Sequence, residues 1–205
     1  INMAHGEFLT IGAYSTYLLS KLTTSYAPAL QPYYFFGAIL LAFLVAYFVG
    51  YWVERLMISK LYKRPLDTLL ATWGLSLIMQ QIFRSTFGPK EVTATLPDWL
   101  MGSVQPFEGV DIPLNGLFIM AMTGVLTGTI FILLYRSRWG LQVRATMQNR
   151  LMSGAVGINT RKVDRTTFAL GCGVAGVAGA AFTTIGSTGP TSGSLYIVDT
   201  SFTVV

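Results

Sequence analysis

The first chemically notable feature of the sequence is a short run of ionisable and amide side chains that leads into an apolar segment. Asn2, His5 and Glu7 lie close together, and uncharged residues follow from Phe8 to Ser20. These groups could bind a polar solute or exchange protons, because ionisable residues inside an apolar segment usually face a cavity or a partner. The alternative is that Asn2 caps a helix whose positive end attracts Glu7. A helix beginning at mid-membrane depth would favour the binding site.

A second polar row lies in a later apolar segment and contains only hydroxyl and amide groups. Its members recur every fourth residue: Thr68, Thr72, Ser76 and Gln80. This spacing places them on one stripe of a helix, where they could hydrogen-bond a neutral solute or line a wet path. The alternative is interhelical hydrogen bonding, which contributes about 0.6 kcal/mol per contact in measured membrane cases. The spacing alone leaves both possibilities open.

The elements that position these groups must be membrane-spanning helices. Of 205 residues, 52% are hydrophobic and 11% are charged, whereas soluble domains carry about 25% charged residues. A bilayer core of about 30 Å needs about 20 helical residues. The composition therefore predicts an all-α integral membrane bundle. We predict five spans: Gly6–Ser20, Tyr34–Val53, Leu66–Phe83, Ile112–Tyr135 and Thr166–Ile185.

Basic residues concentrate in two of the loops between the predicted spans. Four lie in the loop after the second span and seven in the loop after the fourth, which together are eleven of the 14 in the chain. Both loops lie on one side of the membrane if the five spans are consecutive. The positive-inside rule places that side in the cytoplasm, and we expect a multi-pass protein of the bacterial inner membrane.

The second basic loop, residues 136–165, is too long for a simple connection and contains its own helical pattern. Apolar residues recur there at mostly helical spacing: Leu141, Val143, Met147, Leu151, Ala155 and Ile158. Gly157 can end one short helix and Asn159 can begin the next. Such a loop is expected to dock another protein, although a basic amphipathic helix can also rest on anionic lipid.

Small residues predict where the helices approach one another. Gly124 and Gly128 form a GxxxG pattern on the fourth span, and Gly171, Ala175 and Gly179 form a stripe on the fifth. Small side chains allow close backbone contact in a membrane bundle. The segment 186–194, rich in Gly, Ser, Thr and Pro, cannot be a regular helix. We expect it to form an exterior loop rather than a re-entrant stretch lining a cavity.

Several kinds of chemistry find no support in the sequence. It contains no Walker A pattern for nucleotide phosphates, and it has one His and one Cys. We therefore expect no metal site, no cofactor on this chain and no enzyme activity. The basic residues lie between apolar segments, which favours a membrane surface over nucleic acid. Neither Ile1 nor Val205 resembles a natural terminus, so we expect one membrane domain, 1–205, that is incomplete at both ends.

Long ordered stretches of the sequence resemble the branched-chain amino acid and urea ABC transporter permeases, and most closely the urea permeases. The stretches are Asn2–Phe8, Ile11–Tyr14, Arg64–Leu77, Met147–Arg150, Gly157–Arg161, Val163–Asp164, Thr167–Gly171 and Tyr196–Asp199. Residues 199–203 depart from the usual pattern. The resemblance covers essentially the whole chain.

The resemblance implies part of a larger inverted-repeat permease in an ATP-driven importer. Its partners would be a second permease subunit, two cytoplasmic ATPase subunits that use ATP, and a periplasmic solute-binding protein. The short helices in the second basic loop would couple to the ATPases. The residues expected to do so are Arg144, Met147, Arg150, Leu151, Ala155, Gly157 and Asn159.

The expected solute is urea, because hydroxyl and amide groups suit a small neutral molecule rich in donors and acceptors. Branched-chain amino acids or short amides are the alternative solutes. Asn2, His5 and Glu7, together with the polar row from Thr68 to Gln80, are the expected substrate-path residues. A different class of protein also fits these residues: a stand-alone secondary transporter or channel that uses Glu7 and His5 for ion coupling.

Overall fold

The computed structural model describes residues 2–26, 31–62, 64–107 and 110–194. Within this part of the chain the helices are α1 (His5–Tyr26), α2 (Tyr34–Val53), α3 (Ser59–Leu61), α4 (Pro65–Phe87), α5 (Leu114–Arg136), α6 (Arg138–Gln148), α7 (Arg150–Ala155) and α8 (Thr160–Phe182). A π-helical turn, Glu54–Ile58, joins α2 to α3, and a 3₁₀ turn covers Asp98–Leu100. The matched stretch at 196–199 and the divergent one at 199–203 lie outside the described residues.

A long helix occurs at each of the five predicted spans, and the second has the predicted bounds. Apolarity is less uniform than predicted, because within the described residues three helices are long and apolar enough to cross a membrane: 34–61, 114–136 and 160–182. The other two, α1 and α4, carry the polar residues singled out above. They can do so in part because Glu7 of α1 meets Ser76 and Gln80 of α4 at a shared interface.

Two helix starts differ from the predicted ones by two or more residues, for local reasons. α8 begins at Thr160 because the Asn159 side chain accepts a hydrogen bond from the Lys162 N–H at 3.1 Å. α5 begins only at Leu114 because the preceding residues form a hairpin, which an all-helical prediction did not include. Its antiparallel strands are β1 (Ser103–Phe107) and β2 (Val110–Pro113).

The core of the bundle is formed by α1, α2 and α8, which approach one another at small residues. A Cβ atom on Gly12 would lie 1.9 Å from the Gly176 carbonyl oxygen, and one on Gly179 would lie 1.9 Å from the Leu9 carbonyl oxygen. The predicted close packing of α8 is therefore confirmed at Gly179, because only a residue without a side chain fits there.

The predicted role of GxxxG in packing this chain is wrong. A Cβ on Gly124 or Gly128 would have no neighbour within 4 Å in the described structure. None of the α5 side chains is buried. Gly171, at the start of the α8 stripe, also faces open space. The close contacts of α8 lie instead against α1 and α2, where a Cβ on Gly176 would lie 2.6 Å from the Ala42 carbonyl oxygen.

The helices α1 and α4 run parallel, and α1 begins deeper in the bundle. The Met3 N–H donates to Thr72 Oγ1 at 3.2 Å, and the Tyr14 ring stacks on the Phe87 ring with centroids 4.1 Å apart. Thr72 lies seven residues beyond the start of α4 at Pro65, or about 10 Å along a helix axis. α1 thus begins roughly two turns inside the end of its neighbour.

Candidate functional site

A buried carboxylate at the start of α1 is the centre of the candidate site. Glu7 is completely buried. Its Oε1 atom accepts hydrogen bonds from Ser76 Oγ at 2.9 Å and from Gln80 Nε2 at 2.8 Å. Gln80 Nε2 also lies 3.2 Å from Ser76 Oγ, which it contacts as a donor. The two polar clusters identified in the sequence therefore meet in one hydrogen-bonded group.

The other carboxylate oxygen leaves this group with open hydrogen-bonding capacity. Glu7 Oε2 is buried without a partner in the described part of the chain, and the same holds for Asn2 Nδ2 and Thr188 Oγ1. A buried polar atom without a partner costs about 1–3 kcal/mol. Water or a solute that supplies a donor for Glu7 Oε2 would remove that cost at this oxygen.

The remaining predicted residues of the polar row anchor helices. Thr72 Oγ1 accepts from the Met3 N–H at 3.2 Å and donates to the Leu69 carbonyl at 3.1 Å, so it attaches the start of α1 to α4. Thr68 Oγ1 donates to the carbonyls of Leu61 and Arg64 and closes the turn before α4. The stripe thus divides into an anchoring half and a half that contacts Glu7.

At the start of α1, Asn2 and His5 have different surroundings from Glu7. Asn2 Oδ1 accepts from the Ala4 N–H at 3.1 Å, which is the predicted capping role. His5 is exposed. The contacts of the described residues therefore join only Glu7 of these three to the polar row on α4.

The segment after α8 contributes to the site, contrary to the expected exterior loop. Thr188 pairs with Val92 through two backbone hydrogen bonds of 2.9 and 2.8 Å. Pro190, Ser192 and Gly193 are buried, and a Cβ on Gly193 would lie 2.4 Å from the Gly6 carbonyl oxygen. This segment, in which residues 192–194 are helical, is therefore packed against the start of α1, one residue from Glu7. The hydroxyl-rich composition of this segment was the only sequence signal for that placement.

The predicted docking loop forms two short helices with an apolar outer surface. Met147 and Leu151 are 83% and 88% exposed, and Leu141, Met152 and Val156 are also exposed. Arg144 is exposed as well, and its guanidinium carbon lies 5.1 Å from the Tyr135 ring centroid. A solvated loop does not ordinarily present large apolar side chains beside arginines on the same surface. We refer to the exposed part of α6 and α7 as the docking surface.

The docking surface is held in place by caps and by a buried inner side. Ser137 Oγ accepts from the Gly140 N–H at 2.9 Å, and Asn149 Oδ1 accepts from the Met152 N–H at 3.0 Å, so side chains begin both α6 and α7. Gly157 follows α7 with a positive φ of 86°, as predicted for a helix end. On the inner side, Trp139 Nε1 donates to Thr166 Oγ1 of α8 at 2.9 Å.

These features define a multi-pass helical membrane protein with a buried polar contact among its helices and a structured basic loop at one end. Over residues 1–205 the chain matches a family described as the permease component of branched-chain amino acid transport systems. It therefore belongs to that permease family.

Individual relatives agree with this membership. The chain is 31% identical over 192 residues to the high-affinity branched-chain amino acid transport system permease protein LivH of Salmonella typhimurium, and 87% of the chain and 59% of the relative are covered. It is 26% identical to BraD, a permease protein of the same description from Pseudomonas aeruginosa, with the same coverage. The chain thus spans about three-fifths of the length of these relatives. No solved structure matches it.

Proposed function

We propose that the chain is the membrane-spanning permease subunit of an ATP-driven importer and that its solute passes Glu7. The observation that carries this proposal is the buried Glu7 carboxylate, which has two donors on one oxygen and, among the described residues, none on the other. Ionisable residues inside a membrane bundle are costly and generally mark a substrate or ion pathway. The family membership supports a transport role for such a residue.

The relatives and the site chemistry favour different solutes. The relatives are named as branched-chain amino acid permeases, and the ammonium group of such a solute would pair with the Glu7 carboxylate. Urea carries N–H donors that suit Glu7 Oε2, and the sequence resemblance favours it. We take urea as the first solute to test and branched-chain amino acids as the second, since each rests on its own observation.

In this proposal the remaining parts of the importer are separate chains. A second permease subunit completes the membrane path, a periplasmic binding protein delivers the solute, and two cytoplasmic ATPases hydrolyse ATP. The docking surface, with Met147 and Leu151 at its most exposed points, would contact an ATPase. The buried inner side of α6 and α7, with Trp139 bonded to Thr166 of α8, attaches this surface to the membrane helices.

The experiment that tests the proposal is purification of the full-length permease from cells that express the neighbouring transport genes. An importer subunit should copurify with ATPase subunits, and the complex in proteoliposomes should take up labelled urea or labelled leucine only with ATP and binding protein. The relative uptake rates of the two solutes identify the substrate. ATP-independent uptake by the permease alone would instead identify a secondary transporter or channel.

A further inference from the structure

A second buried carboxylate, separate from Glu7, lies where the two basic loops meet. Glu54 is 1% exposed and begins the π-helical turn that follows α2. Its Oε2 atom accepts a hydrogen bond from Arg165 Nε of α8 at 2.8 Å, and its Oε1 atom accepts from the Tyr62 hydroxyl at 3.3 Å. Burial, followed by the charge of Glu54, raises the pKa of the Tyr62 hydroxyl, which therefore stays protonated and able to donate.

The contacts of Tyr62 extend this group to the docking surface. The guanidinium of Arg150, the first residue of α7, lies 5.5 Å from the Tyr62 ring centroid. Arg150 also forms an ion pair with Asp164 of α8. An unbroken series of polar and cation–π contacts therefore runs from the start of α7 through Tyr62 to Glu54 and on to α8.

The surroundings of Glu54 differ from those of an ordinary surface ion pair. Arg64 and Asp67 form such a pair nearby, 3.4 Å apart, with side chains 79% and 47% exposed. Exposed pairs contribute little to stability. The presence of a buried ion pair does not by itself show that the pair stabilises the fold. Removal of one partner is nevertheless unfavourable, because it leaves an uncompensated buried charge. Its best-attested use is to specify one arrangement of the elements that it joins.

The π-helical turn is a second observation that indicates a functional role for Glu54. Single π-helical turns inside long helices are rare and frequently coincide with functional sites, where the local backbone can shift register. Here the turn begins at the same residue that receives the contacts from α7 and α8. A displacement of α7 would reach α2 through this turn.

We propose that Glu54 is a positioning residue that links movement of the docking surface to α2 and α8. The inference rests on the proposed function, because it needs an ATPase bound to α6 and α7. When the ATPase displaces α7, Arg150 carries the movement to Tyr62 and Asp164. Glu54 then transmits it to the π-helical turn and to Arg165. Loss of the Glu54 contacts should uncouple ATP hydrolysis from solute movement while leaving the bundle assembled.

The test uses the full importer in proteoliposomes, with ATP hydrolysis and solute uptake measured on the same preparation. Glu54→Gln removes the charge at nearly constant shape, and Tyr62→Phe removes only one hydroxyl, so the second variant remains informative if the first fails to fold. Asp67→Asn is the matched control, because it removes a carboxylate of the exposed pair on the same side. Each complex is also compared by thermal denaturation.

We expect both variants to hydrolyse ATP in response to loaded binding protein but to transport at least about fivefold less solute per ATP, the lower end of typical coupling effects. Asp67→Asn should transport as much solute per ATP as the wild-type importer. The inference is overturned if all three variants transport as much solute per ATP as the wild-type importer does. It is also overturned if ATP hydrolysis and solute uptake both fall in proportion to the amount of assembled complex. Absence of ATP-dependent uptake in the wild-type importer would instead overturn the proposed function itself, a result distinguishable from the others.

Discussion

Replacement of Glu7 by Gln separates a role in the solute path from a role in packing. The substitution keeps the volume of the side chain and an oxygen that can accept from Ser76 and Gln80. It changes the unpartnered position, Oε2, from an acceptor into a donor. If a solute N–H group binds there, the substitution removes its acceptor and places two donors opposite each other.

The structure predicts opposite effects of this substitution on transport and on stability. A hydrogen bond to a charged group contributes about 1.5–3 kcal/mol, which corresponds to about a 10- to 150-fold loss of transport efficiency at 1.4 kcal/mol per tenfold change. In the described part of the chain no cationic side chain forms an ion pair with Glu7. Because burial of an unpaired charge is unfavourable, a neutral amide should leave the melting temperature unchanged or raise it.

The assay measures uptake of labelled urea and labelled leucine by the assembled importer, together with its thermal denaturation. Glu91→Gln is the matched control, since Glu91 is an exposed carboxylate beside the segment after α8. A fall in uptake without a fall in melting temperature supports the path. Unchanged uptake of both solutes, or parallel loss of uptake and stability, would refute the reasoning and assign Glu7 to packing.

Three further substitutions test other parts of the structure. Thr72→Val should lower stability by about 0.5–1.5 kcal/mol through loss of its contact with Met3, with solute preference unchanged; a specific loss of transport in a stable complex would return Thr72 to the path. Ala155→Glu should place a charge on the docking surface and weaken ATPase binding in a copurification assay, whereas Ala155→Ser should not. If the two variants bind the ATPase equally well, the ATPase does not dock at Ala155. Gly12→Ala should destabilise the bundle by about 1–3 kcal/mol through overpacking, and Gly124→Ala should not, as measured by thermal denaturation of the purified permease. Equal effects would contradict the close contact with α8.

Local patterns in the sequence predicted the positions of the long helices because helix formation in a membrane depends on nearby residues. The second span matches α2 at both ends, and Asn159 and Gly157 have the capping and terminating roles expected of them. The spacing of Ser76 and Gln80 on one stripe was also correct, because a helix has a fixed period. In each case the relevant interaction spans only a few residues along the chain.

Long-range contacts decided which of several plausible partners each residue has. Glu7 and Ser76 are separated by 69 positions in the sequence. Because of this separation, no local sequence pattern predicts which face of α1 contacts α4. The GxxxG pattern on α5 makes close helix packing sterically possible. In the described structure, however, the closest interhelical approaches are those of Gly12 to Gly176 and of Gly179 to Leu9. Packing geometry, and not residue type, made that choice.

The amino-acid sequence by itself determined that this protein is a bundle of membrane helices with a basic, structured loop at one end. It did so because apolar length, helical period and loop charge act locally. Only the tertiary structure decided that the segment after α8 folds back against α1, that no described residue pairs with one carboxylate oxygen of Glu7, and that Glu54 joins α2 to α8. Those features arise where separate helices bury polar groups against each other, and the partner of a buried group depends on how all the helices pack.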